Sequence, residues 1–169
     1  MKKINLVLLL ISVLVVLVLT FLFSMLLPSS PVDIKTVENL TFESSENFML
    51  KEERWFYPLK GMVVEMKNDT IPIGIAGQTY ELDFGRIPHN SSVRKIINMK
   101  SDNFAKVELY TSGNISSHIL LPENFYMKGQ EEKITITFNG TDLGNFTGTL
   151  LIKNVIPKNI LAEEIIKLI

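Results

Sequence analysis

Only two histidines and no cysteine occur among the 169 residues of the chain, so few side chains are suited to metal binding or nucleophilic catalysis. His89 lies in a turn-like Pro-His-Asn segment, and His118 lies in an apolar run typical of a strand. A two-histidine metal site would therefore require the fold to bring distant segments together by chance. The absence of cysteine excludes thiol catalysis, cysteine-ligated zinc and iron–sulfur clusters. The sequence predicts no metal site and no cofactor.

Three acidic segments have the residue types of a metal site but not its pattern. Asp83-Phe84-Gly85 matches the magnesium motif of protein kinases, yet no glycine-rich loop or His-Arg-Asp segment accompanies it, and the chain is too short for a kinase. Glu131-Glu132 and Asp142 are turn carboxylates, for which simple solvation is favoured over weak calcium binding. Because no P-loop, no Gly-x-Ser-x-Gly segment and no nucleophile–base pair is present, we predict no catalytic residue, no small-molecule substrate and no enzyme activity.

The chemistry that the sequence does offer is N-glycosylation. Asn-x-Ser/Thr occurs six times among the 12 asparagines that follow residue 28, whereas chance placement of the 20 Ser and Thr residues predicts about 1.7 occurrences. Clustering of Asn, Ser and Thr in the turns of any β-protein is the alternative explanation. We favour glycosylation outside the cytoplasm, which adds bulk and solubility to loops. The candidate acceptors are Asn39, Asn68, Asn90, Asn114, Asn139 and Asn145.

The amino-terminal segment contains 22 consecutive uncharged residues, 6–27. As a helix rising about 1.5 Å per residue it would be roughly 33 Å long, which matches a bilayer core of about 30 Å. A cleaved signal peptide is the alternative, but the run exceeds the about 7–15 residues of a signal h-region and no small-x-small cleavage site precedes Pro28. Lys2 and Lys3 precede the run and the first charge after it is Asp33. This asymmetry predicts a single-pass protein of the cell membrane with its amino end in the cytoplasm and its carboxyl-terminal domain outside.

The residues after the anchor have the composition of an ordinary globular domain. They carry 15 basic and 18 acidic residues without a basic cluster, so we predict no nucleic-acid partner. We divide the chain into an anchor at 1–28, a juxtamembrane segment at 29–60 that packs partly on the domain, a β-sandwich at 61–156 and an amphipathic helix at 157–169.

Seven or eight short strands, separated by turn signals and with no helix between them, are predicted for the sandwich. Residues 61–66 and 71–76 read as a hairpin, and Ile34 to Phe42 as one strand. The clearest strand is 133–138, in which Ile134, Ile136 and Phe138 alternate with polar residues. Trp55-Phe56-Tyr57 is either a partner-binding patch or, as we favour, part of the core. The sequence therefore predicts an all-β antiparallel fold.

Several segments of the predicted sandwich resemble the immunoglobulin-like modules of the Hydin and major-sperm-protein type. They are Leu82-Asp83-Phe84-Gly85-Arg86-Ile87-Pro88, Phe125-Tyr126-Met127-Lys128-Gly129-Gln130 before a strict alternation, and Gly144-x-Phe146-x-Gly148-x-Leu150. The resemblance covers about residues 61–156, and its motifs are structural. Variants of this module occur on archaeal membrane-anchored surface proteins, so the resemblance implies an immunoglobulin-like sandwich on an archaeal cell envelope.

The carboxyl terminus has a helical pattern in which Leu161, Ile165, Leu168 and Ile169 fall on one face. Asn159 is a candidate helix cap. Two roles remain open for this helix. It either covers an open edge or end of the sandwich, or docks a partner or the membrane surface.

Taken together, these features predict a non-catalytic structural or protein-binding module that contacts an unidentified envelope protein. An accessory, stator-like subunit of an archaeal surface filament is an alternative, because such proteins also pair one amino-terminal helix with a β-sandwich. A regulatory part of a surface hydrolase is an alternative from another class, against which the lack of a nucleophile–base pair counts.

Overall fold

The computed structural model describes residues 2–26, 32–37, 40–65 and 81–168. Its first helix, α1, spans Lys2–Leu26. The side chains of α1 are described from residue 11 to residue 23, and all of them are exposed. Over the described residues, no helix combines the length and the hydropathy that crossing a membrane requires.

The larger sheet, sheet A, contains seven of the strands found in the described residues. Its order is β1-β2-β3-β10-β6-β8, and β4 pairs with β3 beside β2. All of its pairs are antiparallel except the parallel pair β3–β4. These strands are β1 Asp33–Val37, β2 Leu40–Glu46, β3 Leu50–Val64, β4 Leu82–Pro88, β6 Ala105–Gly113, β8 Phe125–Met127 and β10 Gly144–Pro157.

The smaller sheet, sheet B, is antiparallel and has the order β5-β9-β7. Its strands are β5 Ser92–Ser101, β7 Ile119–Leu120 and β9 Gln130–Asn139. A short 3-10 helix at Ser116–His118 leads into β7, and helix α2 spans Ile160–Leu168 after the end of β10. The expected mostly antiparallel β-fold with a short carboxyl-terminal helix is therefore confirmed.

One apolar core joins the inner faces of the two sheets. Strand β9 contributes Ile134, Ile136 and Phe138, each of which is buried, as the alternation predicts. Leu150 and Ile152 of β10 face them from sheet A in the same cluster. Buried and more exposed residues alternate along strands of both sheets. The two sheets therefore form a sandwich in which each covers the apolar face of the other.

The segment before Gly61 contains more regular structure than its sequence indicates. The single strand expected from Ile34 to Phe42 is two paired strands, β1 and β2. Strand β3 begins at Leu50 and runs through Trp55-Phe56-Tyr57. The second strand of the expected 61–66/71–76 hairpin lies outside the described residues. The next described strand, β4, lies parallel to β3.

Candidate functional site

The strand registers define two ends of the sandwich. Asp33, the first residue of β1, pairs with Ser44 of β2. Ser44 pairs with Glu53 of β3, and Glu53 pairs with Asn154 of β10. The first residue of β1 therefore lies level with the carboxyl-terminal end of β10, close to the start of α2. We call this the proximal end, and it also includes the β2–β3 turn at 47–49. The distal end lies opposite and includes the turns at 89–91 and 140–143.

The four described glycosylation candidates all lie at the distal end. Asn90 is in the turn after β4, Asn114 follows the last residue of β6, Asn139 ends β9 and Asn145 is the second residue of β10. Asn90, Asn114 and Asn145 are exposed, whereas Asn139 is half-buried. The other two candidates, Asn39 and Asn68, lie outside the described residues. The fold thus gathers at one end four sequons that are spread over 56 positions of the sequence.

The distal asparagines differ in what their amides do. Asn114 Oδ1 accepts a hydrogen bond from the Thr147 backbone N–H at 2.7 Å, and Asn114 Nδ2 donates to the Asn145 carbonyl at 3.4 Å. This side chain thereby ties the end of β6 to the start of β10. Asn90 is in the left-handed region at φ 61°, a conformation that asparagine adopts more readily than most residues. Asn145 is exposed on a strand, which leaves its side chain open to a modifying enzyme.

Both histidines contact the same distal turn, contrary to the expectation that the fold would keep them apart. His89 Nε2 lies 2.8 Å from the Thr141 carbonyl oxygen, and His118 Nδ1 lies 3.1 Å from Thr141 Oγ1. His118 is buried, and its ring lies 4.1 Å from that of Phe146. The nearest carboxylate, Asp142, has Oδ2 3.8 Å from His118 Nε2. These contacts hold the turn against the core.

The acidic segments singled out in the sequence have structural partners. Asp83 Oδ1 accepts the Gly85 backbone N–H at 2.8 Å, where Gly85 has φ 71°, and Lys60 Nζ lies 3.3 Å from Asp83 Oδ2. Hydrogen bonds from Lys60 to Glu81 and Asp83 raise the pKa of the Lys60 ammonium. Glu131 and Glu132 lie at the start of β9, at the opposite end from Asp142. Among the described residues, no group of three or more His, Cys, Asp or Glu side chains could hold a metal ion.

The outer face of sheet A carries a row of four charged residues, with two cations between two carboxylates. Glu43, Arg54, Lys153 and Glu108 stand opposite one another on β2, β3, β10 and β6. Lys153 Nζ lies 3.3 Å from Glu108 Oε2, and Lys106 Nζ lies 3.1 Å from Glu108 Oε1. Burial opposes ionisation of Glu108, but the bonds from Lys106 and Lys153 outweigh it and hold the pKa of the carboxyl below its ordinary value. The opposite-charge pairs Glu43–Arg54 and Lys153–Glu108 favour this register, and each cation of the like-charged Arg54–Lys153 pair has a carboxylate on its other side.

A pocket of about 220 Å³ lies between sheet A and β5. Burial raises the pKa of the Tyr57 phenol on its wall. Asn154 is buried, and its Oδ1 has no hydrogen-bond partner among the described residues. Trp55 packs partly against the core and partly on Phe42, with ring centroids 4.3 Å apart, so the favoured core role of this aromatic run fits its position. The pocket is lined by Glu53, Trp55, Tyr57, Ile97, Asn98, Met99, Lys100, Ile152 and Asn154.

The proximal end exposes large apolar side chains. Phe48, in the β2–β3 turn, is 64% exposed, and Ile160 and Leu161, in the first turn of α2, are 81% and 66% exposed. The turn and the helix are joined, because the Lys158 backbone N–H donates to the Met49 carbonyl at 2.8 Å. This bond brings the turn that holds Phe48 to the residues that precede α2, although 112 positions separate Phe48 from Ile160 in the sequence.

Helix α2 is fixed to this end through a face other than the apolar one that its sequence predicts. Asn159 Oδ1 caps it by accepting the Ala162 N–H at 2.9 Å, as expected. Ala162 and Ile166 are buried, whereas Leu161 and Leu168 are exposed. Tyr126 Oη donates to the Ile166 carbonyl at 3.2 Å. The helix thus covers part of sheet A with Ala162 and Ile166 and leaves most of the predicted apolar stripe uncovered.

In comparisons with known proteins, no family model matches the chain, and neither a curated protein nor a solved structure matches it.

Sequence reasoning missed the proximal apolar surface and the pocket. Phe48 begins the short apolar run Phe48-Met49-Leu50, and no periodicity distinguishes its exposed side chain. The pocket joins β3, β5 and β10, which are far apart in the sequence. Only the register of the sheet brings these residues together.

Proposed function

We propose that the protein is a single-pass membrane protein in which residues 6–27 anchor a β-sandwich outside the cytoplasm, where it serves as a non-catalytic structural or protein-binding module. The observation that carries this proposal is the difference between the two ends of the sandwich. The chain joins the sandwich from α1 at the proximal end, and the four described sequons lie at the distal end. A tethered module has this arrangement when its free end carries glycans.

The surface of α1 supports the anchoring role. Its side chains from residue 11 to residue 23 are exposed on every face, and large apolar residues among them are between 49% and 71% exposed. A helix that is apolar all round is stable only where it is surrounded by apolar material, such as lipid or other helices. Thr20 Oγ1 donates to the Val16 carbonyl at 2.9 Å, so this hydroxyl is satisfied within the helix.

The immunoglobulin-like character of the sandwich and its archaeal setting remain part of the proposal, supported by the sequence resemblance over about residues 61–156. The alternative binding role is that of a stator-like subunit of a surface filament, since such subunits also combine one amino-terminal helix with a β-sandwich. A regulatory part of a surface hydrolase would need a catalytic partner on another chain.

Two measurements on the native membrane test the proposal. Protease added to intact cells is expected to remove the sandwich, since the proposal places it outside the cytoplasm. Full protection of the sandwich would overturn the proposed orientation. Glycosylation predicts species heavier than 19.2 kDa whose mass falls when Asn145 is replaced by Gln. Asn124→Gln is the matched control, because Asn124 is exposed and lies outside any sequon.

A further inference from the structure

We infer that the proximal end of the sandwich is seated in the headgroup region of the same bilayer that holds residues 6–27, with Phe48, Ile160 and Leu161 as the inserting side chains. This inference rests on the proposed anchor and names the surface that the anchored domain contacts. The partner that covers the apolar surface of the proximal end is the headgroup region of the bilayer.

The length of the connection limits which part of the sandwich can reach the membrane. Leu26, the last residue of α1, and Val32 are six residues apart. Even fully extended, six residues span at most about 20–22 Å. Strand β10 has 14 residues and is about 45 Å long at roughly 3.3 Å per residue. The tether therefore keeps the proximal end near the bilayer, and an upright sandwich places its distal turns far from it.

The apolar side chains lie where this tether would hold them against lipid. Phe48, Ile160 and Leu161 are all exposed at the proximal end, where the turn at 47–49 is hydrogen-bonded to Lys158, two residues before α2 begins. Leu168 lies farther along the helix and is 87% exposed. Val32 and Ile34, on either side of the first residue of β1, are also exposed at this end, and two other exposed apolar residues lie farther away. Ile96 is on the outer face of sheet B, and Leu143 is in a distal turn.

The charges at the proximal end favour insertion of apolar side chains over electrostatic attraction. Lys167 Nζ lies 3.0 Å from Glu163 Oε1 and 2.9 Å from Glu164 Oε1, and Lys158 Nζ lies 2.9 Å from Glu46 Oε2. Because these lysines are already paired with carboxylates, the seating should occur on a zwitterionic bilayer and change little with salt.

The two faces of helix α2 suit a position at the membrane interface. Ala162 and Ile166 hold one face on the sandwich, and the adjacent face presents Leu161 and Leu168. Lys167 lies 5.4 Å from the centre of the Phe104 ring. An interfacial helix buries its apolar face about 5–10 Å into the boundary between headgroups and acyl chains.

Site-directed spin labelling tests the seating directly, since the chain contains no cysteine of its own. Four single-cysteine variants of the full chain, Phe48→Cys, Leu161→Cys, Leu143→Cys and Val16→Cys, are reconstituted in phosphatidylcholine nanodiscs. The depth of each nitroxide is read from its relative collision rates with oxygen and with a water-soluble nickel complex. Leu143→Cys is the matched control, because Leu143 is an exposed leucine at the distal end.

The expected result is a deep label at Val16, labels about 5–10 Å below the headgroups at Phe48 and Leu161, and a fully aqueous label at Leu143. Addition of Phe48→Ser to Leu161→Cys should move its label toward water. If Phe48 and Leu161 read as aqueous as Leu143 while Val16 is deep, the seating is wrong and the anchor stands. If Val16 is itself aqueous, the proposed anchor fails, and the seating fails with it.

Discussion

The close approach of Gly61 to Phe138 predicts how the two sheets respond to one added methyl group. Gly61 lies on the inner face of β3, and a Cβ placed there would be 2.6 Å from Phe138 Cε1 and 2.8 Å from Phe138 Cζ. Favourable carbon–carbon contacts are about 3.5–4.0 Å, so the ring would have to move by about 1 Å. Phe138 is fully buried, with the Phe84 ring 5.2 Å away, so little room is available.

The expected cost of Gly61→Ala follows from two opposing effects. Overpacking a tight core costs about 1–3 kcal/mol, whereas replacing a strand glycine by alanine gains about 0.5–1 kcal/mol from the unfolded chain. The net loss is therefore about 0–2.5 kcal/mol, and Tm should fall by about 2–4 °C for each kcal/mol. Shortening the ring by Phe138→Leu makes room for the methyl group. The double variant should then lose less stability than the two single losses added together, by about 1 kcal/mol.

Urea unfolding of the full chain in detergent micelles measures these losses. The fluorescence of Trp55 reports the transition, because Trp55 is the only tryptophan and packs against the core. Thr135→Ala combined with Phe138→Leu is the control, since Thr135 lies on the outer face of β9 and its effect should add to that of Phe138. Additive losses for Gly61→Ala and Phe138→Leu, or a stabilising Gly61→Ala, would refute this packing between the sheets.

Three further predictions use the same unfolding measurement. Asn154→Leu should raise the free energy of unfolding by about 1–3 kcal/mol, because it removes a buried oxygen that has no hydrogen-bond partner among the described residues, and a loss of stability would contradict that reading. Ile166→Ala should cost about 2–4 kcal/mol, whereas Leu161→Ala on the exposed side of α2 should change stability by less than about 0.5 kcal/mol, and equal losses would show that the helix is packed differently. Glu108→Gln should destabilise the protein at neutral pH, because the pKa of Glu108 is lowered in the folded state. The stabilising contribution of Glu108 should be complete above pH 4.5 and disappear as the pH falls through the folded-state pKa. A difference in stability between the two proteins that is independent of pH would exclude the charge pairing.

The parts of the fold that the sequence predicts best are strands with one buried face. In β9, Ile134, Ile136 and Phe138 alternate with polar residues because sheet A covers one side and water the other. In the first half of β3 this pattern fails. Its inner face lines the pocket and its outer face carries the charge row, so neither face is uniformly apolar.

Relations between distant segments could not be predicted from a single sequence. The parallel pairing of β3 with β4 is a relation between two strands that local periodicity does not indicate. The meeting of both histidines at Thr141, and of four sequons at the distal end, follows from strand register. The sequence left open whether the apolar face of α2 covers the sandwich or faces outward. The helix packs through Ala162, whose small side chain permits close approach to the sheet, and leaves Leu161 exposed.

Labelling of Leu143→Cys in intact cells tests the central claim, that residues 6–27 hold the sandwich outside the cytoplasm. Leu143 is exposed in a distal turn, and no native cysteine competes for the reagent. A membrane-impermeant maleimide is predicted to label Leu143→Cys before the cells are opened and to label Asn5→Cys only after they are permeabilised. Labelling of Leu143→Cys only after permeabilisation would contradict the claim.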